Sequence, residues 1–367
     1  MDHSRLFAAV VLVAATCAAC GGDSGDTTTV RIGVTASANE PRVELTRTVA
    51  ERLTTAFEDG QTRLVVYRDG EAAGGAHSDE VVSADSDDGL DAAGRVARLN
   101  GQLARIGGSG SALDPLSVLA DMASAEGPAL LVLHSSGLQT TDPLDLTRLG
   151  LDLDVAALVD AVPDDALPDL ADKEVVFSGL GQVNGAQRPL PPGAQAALVR
   201  LWLGICERFG AASCTHDPDP VPPGGPVTRV EVPTVDIGEV QHQDALVSIP
   251  SSVLFEAGGV EPAPGAREVL REVAQRFDGR TTGRVIVRTA TADSAEAALD
   301  LTRRRGERVA AELVDLGVSR SALTEVVGAG FGAPLAVDLD SSGDLVPDAA
   351  ARNRSVVVEL ARPGSNS

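Results

Sequence analysis

The chain has 367 residues, 43% of them apolar and only 2% aromatic, with 53 acidic against 30 basic residues for a formal net charge of -23. That length holds about two domains at roughly 150 residues each, with cores built mainly from Ala, Val and Leu. The acidic excess argues against nucleic acid and against electrostatic docking on anionic lipid, since both need clustered positive charge; its plain consequence is solubility.

Residues 1–19 read as a processed leader. A polar start, MDHSR, precedes the apolar run LFAAVVLVAATCAA, which falls short of the roughly 20 residues needed to span a bilayer and suits the core of a secretory signal. The sequence Thr16-Cys17-Ala18-Ala19-Cys20-Gly21 resembles the bacterial lipobox. The resemblance implies cleavage before Cys20, acylation of that cysteine (palmitate among the acyl groups) and a lipid anchor in the cell membrane. Cys17 departs from the usual Leu, and simple cleavage after Ala19 is the alternative; both readings export the protein. Residues 20–28 are small and polar, as in a tether.

Export bears on the remaining thiols. Cys206 and Cys214 stand eight positions apart in an oxidising compartment and are expected to form one disulfide. No histidine pair lies near them at ligand spacing, so no metal is expected there.

Strand-like and helix-like runs alternate through residues 29–215. Val30–Val34 is a short apolar strand, and Leu45, Val49, Leu53 and Phe57 mark a helix with one buried face. Arg63–Tyr67, Ala129–Leu133 and Glu174–Leu180 read as further strands, and Leu198, Trp202, Ile205 and Phe209 as a closing helix. This alternation predicts a Rossmann-like α/β domain with a mostly parallel sheet. Ligands of such sheets sit at the carboxyl ends of the strands, which points to Thr35–Pro41 and His134–Pro143. The arrangement resembles a von Willebrand factor A domain, whose Asp-x-Ser-x-Ser and Ser-Asp-Gly motifs hold magnesium. Here the positions read Thr35-Ala36-Ser37-Ala38-Asn39 and Ser135-Ser136-Gly137. Both aspartates are absent, and a hard cation wants anionic oxygen, so no metal is expected. His134 beside Ser135 raises a catalytic reading, but adjacent strand residues face opposite ways, and no Gly-x-Ser-x-Gly elbow is present.

Five prolines and two glycines between His216 and Pro226 break the pattern, and residues 216–232 read as a Pro/Gly-rich linker. Beyond it, residues 233–362 alternate as an α+β domain before a short tail, 363–367. Val247–Phe255 reads as a strand, Pro264 as a helix start, Gly283–Thr289 as a strand and Ala295–Leu316 as a long helix. Leu301, Arg305, Val309 and Leu313 recur along that helix at spacing four. Ser319–Leu323 reads as a helix start, VVGAGFGAP as a strand and glycine turn, and RNRSVVVEL as a last strand.

The segments LFEAGG, LTRRRGERVAAELVDLGV, GAGFGAP and ARNRSVVVEL resemble the OmpA-like domain, the peptidoglycan-associating module of bacterial envelope proteins. The resemblance implies helices packed on one sheet, no enzymatic activity and no cofactor. It also implies recognition of the diaminopimelate of the stem peptide, with an aspartate on its ammonium and an arginine on its carboxylate. A planar guanidinium can take a carboxylate through two charge-assisted bonds. Leu301-Thr302-Arg303-Arg304-Arg305-Gly306 aligns on the family's Leu-Ser-x-x-Arg-Ala, so Arg305 is the family arginine and Arg303 and Arg304 are solvated. The aspartate position falls on Ala292, leaving Asp293 as its substitute or the ammonium contact missing. Arg305 can alternatively pair with Asp293 or Asp300. Asn353 and Arg354, near the pocket in the family, carry either ligand binding or a fold-stabilising hydrogen-bond network. The expected whole is a peptidoglycan-binding envelope lipoprotein whose N-terminal domain meets an unknown envelope protein; the alternative is a scaffold or sensor without wall binding.

Overall fold

The computed structural model describes residues 28–58, 62–69, 76–79, 89–108, 110–228, 230–290, 294–332, 334–337, 341 and 346–361. The expected leader, Cys20, the tether up to residue 27 and Asp293 lie outside the described residues, and Thr28 opens the first strand instead.

In the N-terminal half, β1 (Thr28–Val34), α1 (Arg47–Glu58), β2 (Thr62–Asp69), β3 (Ala76–Asp79), α2 (Ala92–Leu103) and α3 (Pro115–Ala123) come first. They are followed by β4 (Ala129–His134), α4 (Leu146–Leu149), α5 (Val155–Ala161), β5 (Lys173–Ser178), α6 (Pro192–Arg208) and β6 (Ser213–Asp217). The strands form one sheet in the order β3-β2-β1-β4-β5-β6. Neighbours run parallel except at the β2–β3 edge. Apolar side chains leave the sheet on both faces: one core gathers Leu131, Leu133, Phe177 and Trp202, the other Val30, Ile32, Leu53 and Leu99. Burial on both faces is why the central strands read as continuous Val/Leu/Ile runs.

Two strands here were not expected. β3 (AHSD) and β6 (SCTHD) are short, polar and bonded to one neighbour each, so they carry no apolar run. The disulfide Cys206–Cys214, with Cα atoms 6.1 Å apart, fastens the end of α6 to β6. The strand continues through His216 and Asp217, which therefore belong to the sheet.

The Pro/Gly-rich segment is a strap laid over the N-terminal domain. Val221 N donates to Gln182 Oε1 (2.7 Å) and Thr228 Oγ1 to Gly108 O (2.9 Å). Ala38 N donates to Val230 O (3.1 Å), while Gln187 and Val235 exchange two bonds of 3.0 and 2.8 Å. Val232 and Val235 join the N-terminal core.

The C-terminal half contains β7 (Gln241–Gln243), β8 (Leu246–Pro250), α7 (Ser251–Leu254), α8 (Ala266–Ala274), β9 (Thr282–Arg288) and α9 (Ala295–Asp315). A 3₁₀ turn (Arg320–Ala322), β10 (Leu323–Gly330), α10 (Pro347–Asn353) and β11 (Ser355–Ala361) complete it. Its mixed sheet has the order β10-β9-β11-β8-β7, with β9 and β10 parallel and the other pairs antiparallel. Three expectations are corrected here. The strand expected over Val247–Phe255 stops at Pro250, and Phe255 N closes a helical turn on Ser251 O (2.9 Å). Ser319–Leu323 is a single tight turn feeding β10, and residues 351–353 end a helix before the last strand begins at Ser355.

Candidate functional site

α9 starts at Ser294, whose hydroxyl accepts from Ala297 N (3.1 Å) as an N-cap should. The helix lies close on the sheet: a Cβ added at Gly328 would come within 2.2 Å of Arg303 N. Thr302 Oγ1 donates to Ala298 O (2.7 Å) and accepts from Gly330 N (2.9 Å), fixing the helix to the end of β10. The buried face comprises Ala298, Thr302, Arg305, Gly306, Val309, Ala310 and Leu313. Leu301, expected in that stripe, is only half-buried.

The three arginines separate as their positions on a 100° wheel require. Arg303 and Arg304 are exposed; Arg303 pairs with Asp300 (2.7 Å) and Glu307 (2.9 Å), and Arg304 reaches Asp300 (3.6 Å). These are solvated pairs on one helix face and contribute little. Arg305 has no exposed surface. Its Nε donates to Gly259 O (2.8 Å), and its guanidinium carbon sits 4.8 Å from the centre of the Phe255 ring. Its two terminal nitrogens hold the two carboxylate oxygens of Asp152, at 2.7 and 2.8 Å. This is a fork-on-fork pair in a dry setting, with the cation also against a ring face.

Asp152 belongs to the N-terminal domain. It lies between Leu151 and Leu153, both anchored in that domain's core, in the loop joining α4 to α5. Burial pushes its carboxyl up, but the Arg305 charge and hydrogen bonds, with the Arg354 charge behind them, outweigh that and hold it below the usual carboxylate range. Arg354 is itself buried and donates to Arg148 O across the junction (3.4 Å).

The sequence candidates thus divide. Arg305 and Arg354 converge on one carboxylate, while Asp300 is engaged by the exposed arginines. Asn353 turns to the neighbouring loop: its Oδ1 accepts from Leu335 N (2.8 Å) and Ala336 N (3.1 Å), and its Nδ2 donates to Ala336 O (2.9 Å). Asp152 was not a candidate, because an aspartate among leucines in LGLDLDV gives no sign of a partner 153 positions away.

The carboxyl end of the N-terminal sheet holds a second buried polar cluster. Glu40 is fully buried; its carboxylate accepts from Thr35 Oγ1 (2.5 Å), Ser135 Oγ (3.2 Å) and Ser136 N (2.8 Å), and from the Ser136 hydroxyl. One carboxylate already filled by these donors does not fit a hard divalent cation, which wants several anionic oxygens. The strap passes over the same loops, Asn39 Nδ2 donating to Val232 O (3.2 Å). His134 Nε2 lies 2.9 Å from Arg42 O, a carbonyl that can only accept, so Nε2 carries the proton. Burial lowers its pKa to about 4, against smaller opposing effects of that hydrogen bond and Asp217. Ser135 bonds instead to Thr35 and Glu40, so the adjacent histidine and serine are not assembled as base and nucleophile.

No family model and no curated protein match the chain. Among solved structures it is similar to a MotB-like protein from Desulfovibrio vulgaris, at 27% identity over 33% of this chain and 75% of that one, with TM-score 0.28. It is also similar to the peptidoglycan-associated lipoprotein from Burkholderia pseudomallei, at 22% identity over 31% and 89%, TM-score 0.25. A third is the cell wall anchor of the T6SS from Pseudomonas aeruginosa, at 18% identity over 32% and 80%, TM-score 0.26. Each of these likenesses spans about a third of the chain.

Proposed function

We propose that the protein is a non-enzymatic envelope lipoprotein that associates non-covalently with peptidoglycan through its C-terminal domain. Arg305 receives a carboxylate of the stem-peptide diaminopimelate in this reading, and Arg354 adds positive charge beside it. The observation that carries the reading is the setting of Arg305: a backbone carbonyl on Nε and a ring against the guanidinium leave its two terminal nitrogens presented together to a carboxylate. The motif resemblance of Leu301–Gly306 and Ala351–Leu360 supplies the ligand class. Cys20 carries the lipid, and palmitate labelling should be lost in Cys20→Ser; an unlabelled wild type would remove the anchor. The N-terminal domain is an interaction module in this scheme.

Because Asp152 lies on the arginine, the test uses the full chain carrying Asp152→Asn, sedimented with purified sacculi. Adding Arg305→Lys should reduce retention about 10- to 150-fold, the equivalent of losing a charged hydrogen bond worth roughly 1.5–3 kcal/mol. Absence of retention in the Asp152→Asn chain would reject the reading. The dry Arg305–Asp152 pair favours a second reading for that outcome, a scaffold in which the arginine only locks two domains.

A further inference from the structure

The carboxylate site of the C-terminal domain is filled by the chain's own N-terminal domain. We propose that the α4–α5 loop is a built-in cap on this site: Asp152 occupies the place of a ligand carboxylate, and a ligand enters only after the loop withdraws from Arg305. The inference rests on the wall-binding reading above and adds its regulation.

Both sides of the contact are shaped for it. On the N-terminal side the loop is fixed at each end, Gly150 N donating to Leu146 O (2.9 Å) at the close of α4 and Asp154 capping α5 through Ala157 N (3.1 Å). Leu151 and Leu153, nearly fully buried, anchor the residues flanking Asp152. On the C-terminal side Gly258 has φ +65, and a Cβ there would lie 3.2 Å from Leu153 O. The turn that supplies Gly259 O to Arg305 therefore rests directly on the capping loop.

The contact is also exchangeable. A ligand carboxylate would make the same two bonds to Arg305 that Asp152 makes, so their gain and loss nearly cancel. The balance between closed and open is then set by the rest of the junction. That remainder comprises the Arg354 bond to Arg148 O, the close approach of Gly193 on α6 to Ser252, Phe255 and Ala263, and the surface pair Arg200–Glu256 at 3.7 Å, which by itself weighs little. A cavity of about 840 Å³, lined by Thr147, Arg188, Asp236, Leu335 and Arg352 among others, opens between the strap and the C-terminal sheet. Domains joined this way are expected to move relative to one another. A ligand that binds the open form alone shifts the population toward it.

The experiment extends the sacculus assay to three full-length chains: wild type, Asp152→Asn, and Asp152→Asn with Arg305→Lys. Retention should rise at least about 10-fold from wild type to Asp152→Asn, as for loss of a charged hydrogen bond. Adding Arg305→Lys should lower it again. Thermal melting of each chain confirms that it is folded. Equal retention of wild type and Asp152→Asn overturns the cap and leaves wall binding standing. No retention of Asp152→Asn overturns wall binding and the cap with it.

Discussion

Arg354 occupies the space into which a side chain at Gly150 would grow: a Cβ built there lies 2.0 Å from Arg354 Nη1. Gly150 also has φ +69, a backbone region costly for other residues. Gly150→Ala should therefore loosen the junction while leaving both cores intact. Hydrogen–deuterium exchange in the full chain should rise at residues 146–154 and 255–259 and stay unchanged in β4 and β5. Unchanged exchange at the junction would mean that Arg354 moves aside without effect.

Acid should undo the same junction from the electrostatic side. The Asp152 carboxyl is held below its ordinary range in the docked state. Its contribution is thus complete above the ordinary aspartate pKa of about 3.9 and is lost as pH falls through the lower docked value. Small-angle scattering should show one docked shape at pH 7 and 5, and an expanded one only as pH falls below the ordinary aspartate range. Asp152→Asn should lack that acid step, and a wild-type step near pH 6 would contradict the assignment.

His134 gives the N-terminal domain a separate and higher pH dependence. Its folded pKa of about 4 is below the ordinary 6.5, so the unfolded chain binds the proton first. Stability is complete above 6.5 and declines as pH falls toward 4, by up to about 3 kcal/mol for a shift of this size. Urea midpoints measured between pH 7 and 4.5 should fall in wild type. The slope should flatten in His134→Gln, which keeps a donor toward Arg42 O without a titrating ring. Parallel slopes in the two proteins would refute this.

The Cys206–Cys214 bridge closes a short loop onto an edge strand whose sheet neighbour among the described residues is β5. Chain-entropy reasoning for so short a loop gives about 2.5 kcal/mol. Replacing both cysteines with Ala should lower the melting temperature of the N-terminal domain by roughly 5–10 °C. No change in melting temperature would show that β6 holds without the bridge.

Legibility in the sequence followed apolar content. The runs VRIGV, ALLVL and VVF became β1, β4 and β5 because strands buried on both faces are apolar throughout. AHSD and SCTHD were missed because edge strands need no such run. Pro250 ended β8 where the alternation of VSIPSSVLF suggested continuation. On α9 the spacing of Arg305, Val309 and Leu313 placed Arg305 on the buried face, and Arg303 and Arg304 outside it. What spacing does not encode is which domain covers that face. Asp152 and Glu40 both went unnoticed, since a buried carboxylate is defined by donors gathered from distant segments: Arg305 for one, Ser135 and Ser136 for the other.

The tie between Asp152 and Arg305 spans 153 positions of one chain, and the strap between the domains is bonded down along its course. In the proposed cap, Asp152 is a tethered competitor, with an effective concentration on the order of millimolar for a short connection. A single soluble carboxylate well below that concentration displaces little of it. A polymer that presents many copies side by side can rebind each time the domains part, so in that proposal the arrangement favours an extended meshwork over its free fragments.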